Sequence, residues 1–541
     1  MDVGATFNLA TLTETIGSLA GAGTVTKSGA GTDTLTVGGN NASTTFSGII
    51  QNPAGTLNLT KQGTGTFTLS GANTYTGATA VSAGTLVVGS NTALGTTAGA
   101  TTVVSGAELQ ISGSGLTIAE PITSLIGTGV SSDGAVRNLG NNNTWTGAIT
   151  LGAGGARVNS DAGTLTISGA GNITGAGQPL TVGGAGNTTI SKVIGTTAGT
   201  LTKDDAGTLT LSGANTYTGA TTVNAGTLAV TANNALGTNA AGTTVASGAT
   251  LDLQNVTYSP TEAVTLNGGT LATSAGTSSL AGAVTLGANS TVNVATGAQL
   301  TISGAVSAPF ALDITGAGTF TATNASNNFS TVTATNAGSV SLRDTDAIGI
   351  GASSVAGNLS VIAGGNITQT APASVGGTTS LTTNVAGTDV LFNNTSNSFA
   401  GNVTVSTAGA GSDADIRATG GLAFAASGVG GTFTGVATGN LTLNDSISAG
   451  AAGDAIVLAA GGNFINTGGA FGLTPGTGRW LVYSTNPASD TRGASLLTAH
   501  DFKQYNTAFG GSILGTGDGF IYTLAPAITP GLGGTATKTY D

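Results

Sequence analysis

The feature that most restricts what this chain can fold into is a long internal duplication. The segment Leu59-Thr-Lys-Gln-Gly-Thr-Gly-Thr-Phe-Thr-Leu-Ser-Gly-Ala-Asn-Thr-Tyr75 returns as Leu201-Thr-Lys-Asp-Asp-Ala-Gly-Thr-Leu-Thr-Leu-Ser-Gly-Ala-Asn-Thr-Tyr217, and the match runs without a gap to Gly95 and Gly237. A weaker correspondence continues from Thr101-Thr-Val-Val-Ser-Gly to Thr243-Thr-Val-Ala-Ser-Gly, which places the related copies near residues 45–111 and 187–253. Self-similarity of this kind marks stacked repeat architectures, where each unit buries its apolar face only against its neighbours.

Inside the copies the period is two. In Gly207-Thr-Leu-Thr-Leu-Ser-Gly213, Leu209 and Leu211 alternate with Thr208 and Thr210 between bounding glycines, which is strand patterning. A shorter signature, an asparagine two residues before an aromatic, occurs at Asn73/Tyr75, Asn143/Trp145, Asn215/Tyr217, Asn327/Phe329 and Asn397/Phe399. The aromatics stand 70, 72, 112 and 70 residues apart. Those intervals fit three, three, five and three coils of about 22–24 residues. The chain therefore reads as all-β, a right-handed parallel β-helix with Val, Leu and Ile turned inward and Thr or Ser turned outward. Gly, Asn and Asp supply the corners. The recurrent asparagines and aromatics are expected to stack as ladders between coils. The plainer alternative is a solvated turn residue that recurs by duplication.

Composition narrows the function classes. Only 12 basic residues are scattered over 541, against a net charge of −11, so nucleic acid is not an expected partner. No apolar run reaches the roughly 18 residues of a membrane-spanning helix, and the first residues carry no signal-peptide pattern. Cysteine is absent and His500 is the single histidine, which leaves no His/Cys metal centre. The close carboxylate pairs Asp204/Asp205, Asp344/Asp346 and Asp413/Asp415 could in principle serve acid–base work on a sugar. Asp204 and Asp205 stand where the twin copy has Gln62 and Gly63, so the fold does not require them. Gly183-Gly-Ala-Gly-Asn-Thr188 has Thr188 where a calcium-binding repeat would need Asp. No catalytic residue, metal or cofactor is assigned.

Residues 1–470 are read as the β-helix. Over 471–524 the texture changes, with Trp480, Tyr483, Arg479, Arg492, His500 and Lys503 close together; this segment is assigned as a cap or transition module, with Trp480 and Tyr483 as its markers. Residues 525–541 are read as a linker and the start of a truncated further module.

Two stretches carry a family resemblance. Thr208-Leu-Thr-Leu-Ser-Gly-Ala-Asn-Thr-Tyr-Thr-Gly-Ala-Thr-Thr-Val-Asn-Ala-Gly-Thr-Leu228 closely resembles the autotransporter-associated β-strand repeat, also called the passenger-associated transport repeat. Glu14–Thr24 and Phe46–Ile50 look like its flanks. Gly364-Gly-Asn-Ile-Thr368, Gly478-Arg-Trp-Leu-Val-Tyr-Ser484 and Phe502-Lys-Gln-Tyr-Asn506 resemble filamentous-haemagglutinin-like adhesins, and Thr537-Lys-Thr-Tyr-Asp541 resembles the opening of a Tyr-Asp-Gly module. The resemblance implies a structural and adhesive shaft on the surface of a Gram-negative bacterium, or secreted from it. It further implies export through an outer-membrane barrel in the same chain or a separate one, and attachment to glycans or sister molecules. With the leader, secretion module and barrel of such proteins not seen, the chain is expected to be a fragment. The alternatives are a β-helix polysaccharide-degrading enzyme and a Thr array that binds ice or another crystalline surface.

Overall fold

The computed structural model describes residues 1–467, 471–497 and 499–526. The chain divides into two units, Met1–Asn327 and Asn328–Asp541. Each is built as a parallel β-solenoid.

In the first unit most strands are three to six residues long, and successive coils pair in parallel. The alternating sequence sets the register. Leu209 lies beside Leu228, then Leu251, Leu271, Val292 and Ile314, one from each coil, and all are buried. A one-residue slip would turn this whole column to solvent, so the pattern fixes the pairing. The outward positions form columns too: Thr181, Thr202, Thr222, Thr244, Thr265, Thr285 and Ser307 follow one another in register. β-branched threonine suits such a pleated, half-exposed surface.

Coil length varies more than the expected 22–24 residues. Thr66 pairs with Thr85, a step of 19, whereas Ile122 pairs with Ile149, a step of 27. Corners absorb the difference, helped by register shifts between Ile122 and Gly127. Some corners are too tight for any side chain. A Cβ at Gly48 would lie 1.8 Å from the Gly23 carbonyl oxygen, and one at Gly71 would lie 1.8 Å from that of Gly48. These Ser-Gly corners let one coil's backbone sit directly on the next.

The second unit repeats the plan with a more aromatic interior. Ile348, Ile367, Val390, Ala414, Phe433, Ile456 and Trp480 follow in register at steps of 19 to 24 residues. Parallel pairing continues past residue 470. Arg479–Ser484 pairs with Asp454–Ala460, and Gly519–Tyr522 pairs with Arg479–Ser484. Between them residues 485–518 carry a parallel bridge from Thr491 to Ile465, the five-residue helix Gly493–Leu497 and the strand Phe502–Gln504. Among the described residues no helix is long and apolar enough to cross a membrane. The linker and truncated module expected over 525–541 lie outside the described residues from residue 527 onward.

Candidate functional site

The recurrent asparagines do not stack on one another; each ties backbone to backbone across coils. Asn73 is 1% exposed, accepts from the Ile50 N–H at 2.8 Å, and donates through Nδ2 to the Ala93 carbonyl at 2.6 Å. Ile50 and Ala93 belong to the coils on either side. Asn215 repeats this with the Ile194 N–H and the Ala235 carbonyl. Asn143, Asn327 and Asn397 accept in the same way from the N–H groups of Leu116, Val306 and Ala373, at 2.8–2.9 Å. Their Nδ2 groups donate to nearby acceptors, including the carbonyls of Gly140, Ala322 and Phe392. At a corner the sheet ladder is interrupted, and a buried amide side chain replaces the missing backbone partners. The aromatics two residues on, Tyr75, Trp145, Tyr217, Phe329 and Phe399, are all buried. The Tyr75 hydroxyl bonds Thr79 Oγ1 at 2.7 Å, and Tyr217 does the same with Thr221.

Two sets of buried ionisable groups accompany these sites. Lys61 and Lys203 sit at inward strand positions, flanked in register by Val37 and Val81 and by Val182 and Val223. Each ammonium donates to three backbone carbonyls: Gln62, Gly63 and Ala83 for Lys61, and Asp204, Asp205 and Ala225 for Lys203. Lys192 likewise caps Thr146, Ala170 and Gly171, reaching back two coils. Burial lowers the lysines' affinity for their protons, that of Lys203 to about 8. Glu120 and Glu262 occupy equivalent places just beyond the two copies and are 4% and 1% exposed. Glu262 accepts from Thr243 Oγ1 at 2.9 Å, while neither carboxyl oxygen of Glu120 has a partner. Burial pushes both up to about 7.

The sequence held a sign of the lysines that the reading missed. In Leu59-Thr60-Lys61 the period of two puts the lysine on the same face as the buried leucine. The glutamates, just beyond the two copies, stand the same distance apart as the equivalent residues within them.

The paired carboxylates have structural partners. Asp204 and Asp205 both hold Arg157. Asp415 pairs with Arg417 at 2.9 Å, and Asp413 accepts the Thr432 N–H at 2.6 Å. Asp344 is 3% exposed and accepts the N–H groups of Phe329 and Thr345, with burial raising it to about 6; Asp346 accepts from Asn328. Among the described residues no group of three or more His, Asp or Glu gathers as metal ligands. The Thr181–Ser307 column is single file: its same-face neighbours include Gly183, Asp204, Asn224, Ala246 and Asn267 rather than a second row of threonines.

Residues 471–524 hold two aromatic groupings. Trp480 is 1% exposed and meets Phe520 edge-on at 5.1 Å; His500 and the Arg492 guanidinium also face that ring, at 5.6 and 5.7 Å. The second lies on the outer face. There Val436, Ala459, Tyr483 and Ile521 follow one another in register, and Phe502 and Ile513 pack over them. The edge strand Phe502–Gln504 is three residues long and carries the exposed Lys503. A short, charged edge of this kind resists pairing with another chain.

These features can be set against known proteins. The Passenger-associated-transport-repeat family matches residues 59–88 and 201–230, the stretches that hold Lys61, Asn73, Tyr75 and Thr79 and their twins. The chain carries two passenger-associated transport repeats. Both transport repeats thus have the same Asn-to-backbone tie, the same Tyr–Thr bond and the same carbonyl-capping lysine. A second family, described as repeats of unknown function, matches residues 337–406 of the other unit, which include Asp344, Asn397 and Phe399. A Brucella suis biovar 1 (strain 1330) protein named Adhesin BmaC autotransporter is 31% identical over 200 residues. That alignment covers 34% of this transport-repeat chain and 5% of the relative, so the chain matches a small part of that relative's length. No solved structure matches the chain significantly.

Proposed function

We propose that this chain is the structural and adhesive shaft of a surface or secreted protein of a Gram-negative bacterium, and that it mediates attachment or aggregation. The observation that carries this reading is the pair of transport repeats folded as solenoid coils tied through their own signature residues. The alignment with an autotransporter adhesin supports it. Export through an outer-membrane barrel, in the same chain or a separate one, follows from the same reading. Residues 1–470 act as the shaft, with Asn73, Asn143, Asn215, Asn327 and Asn397 and their aromatics as its structural repeat positions. Residues 471–524 act as its cover, built on Trp480 and Tyr483. Glycans and sister molecules are the partners assigned. No catalytic role is given to the acidic pairs, each of which has a structural partner.

Deleting the coding region and measuring surface attachment and cell aggregation tests the proposal. Loss of attachment or aggregation with growth unchanged is expected; unchanged behaviour in every assay would overturn it. Turnover of pectin, alginate or chitin that disappears in Asp344→Asn or Asp413→Asn would establish the enzymatic alternative instead.

A further inference from the structure

We propose that Phe310 and the amides beside it form a subsite for a neutral pyranose ring on the outer face of the first unit. The inference deepens the adhesive reading and rests on it. Among the described residues Phe310 and Phe509 are the only exposed aromatics, at 43% and 45%. Phe509 lies against Tyr483 at 5.3 Å, whereas Phe310 has no ring partner among the described residues. The fold does not require an aromatic there. In Ser307-Ala-Pro-Phe310 the inward–outward alternation breaks, Pro309 and Phe310 are both exposed, and alternation resumes at Leu312 and Ile314. Pro309 has no N–H to give a ladder, and pairing with the preceding coil lapses between Ser307 and Leu312.

The ring borders an open cleft of about 430 Å³ lined by Ser247, Asn267, Gly268, Ala288 and Asn289, contributed by successive coils. A register shift between Leu266 and Asn267 re-aims the chain at its edge. Asn289 Oδ1 accepts the Ala311 N–H at 3.0 Å, which ties down the segment carrying Phe310, and Asn289 is itself exposed. The Asn267 amide and the Ser247 hydroxyl have no protein partner among the described residues and are exposed. Gly268 and Ala288 keep the floor low. No charged side chain lines the cleft, so an anion or a cation finds no counter-charge there.

That set matches the two sides of a sugar ring. The apolar C–H face lies on the phenyl ring, and the hydroxyl edge meets amide donors and acceptors. A single shallow subsite of this kind binds weakly, and many copies on a cell surface add their contributions.

The test uses the full 541-residue chain on surfaces bearing galactose-, glucose- or N-acetylglucosamine-terminated oligosaccharides. Wild type, Phe310→Ala, Phe310→Trp, Asn267→Ala and Phe509→Ala are compared, with circular dichroism reporting the fold. The expected result is retention of the wild type on at least one surface and a loss of ten-fold or more in Phe310→Ala. Phe310→Trp and Phe509→Ala retain binding, and Asn267→Ala is intermediate. Equal binding by wild type and Phe310→Ala, or no binding by the wild type to any of the three, overturns the subsite. If deletion of the region still abolishes cell attachment in that case, the subsite fails and the adhesive reading stands.

Discussion

Lys203 takes an inward place between Val182 and Val223, where the pattern calls for an aliphatic side chain, and its ammonium holds three corner carbonyls. Asn215 does the same work with a neutral amide. Removing either leaves backbone groups buried without partners, at about 1–3 kcal/mol for each orphaned group. Lys203→Met and Asn215→Ala are therefore expected to lower the urea midpoint of unfolding, whereas Asn233→Ala, which removes two solvent-exposed bonds to Ser259, stays within about 0.5 kcal/mol of wild type. The buried acids set the pH response. Glu120 and Glu262 ionise near 4.5 when unfolded and at about 7 when folded, so the folded chain holds the extra protons between those values. Stability is thus full below pH 4.5 and falls as pH rises to about 7. Asp344, raised to about 6, acts in the same direction. Lys203 is lowered from 10.5 to about 8, so its contribution recovers as pH climbs from 8 to 10.5. Thermal unfolding is expected to show a higher midpoint at pH 5 than at pH 7.5, and the Glu120→Gln/Glu262→Gln double variant is expected to flatten that difference. An identical slope in the double variant would mean that these two carboxyls do not control it.

The strand is the level at which the sequence was most readable. Thr208-Leu-Thr-Leu211 announces its inward and outward faces directly, and the register columns follow from it. Corners were less readable, because their cost depends on a neighbouring coil that lies about 20 residues away. Gly71 looks like any glycine until the Gly48 carbonyl is placed above it, 1.8 Å from where a Cβ would be. Gly71→Ala is expected to destabilise the first unit clearly, by about 1–3 kcal/mol through backbone displacement, whereas Gly106→Ala meets open space and loses only through its positive φ of 80°. Chemical unfolding of the two variants compares them. The asparagines were recognisable as a signature, but their role was not, since the N–H of Ile50 and the carbonyl of Ala93 are local neighbours of Asn73 only in three dimensions. The outer apolar column Val436, Ala459, Tyr483 and Ile521 was hidden for the same reason: its members are spread over 86 sequence positions and meet only through the register.

For the molecule as a whole, the reading of a transport-repeat shaft depends on one arrangement, coils stacked in parallel at a fixed register. The absence of cysteine gives a clean background for testing it. Thr222 and Thr244 are register neighbours on adjacent coils, and Thr265 is one coil further. Adjacent strands lie about 4.8 Å apart, inside the Cα separation of roughly 4.4–6.8 Å that a disulfide spans. Two coils, at about twice that spacing, are outside it. Under mild oxidation the Thr222→Cys/Thr244→Cys variant is expected to form an intramolecular disulfide, seen by mass spectrometry, while Thr222→Cys/Thr265→Cys stays reduced. An adjacent pair that stays reduced, or a distant pair that bridges equally well, would contradict the stacked parallel coil.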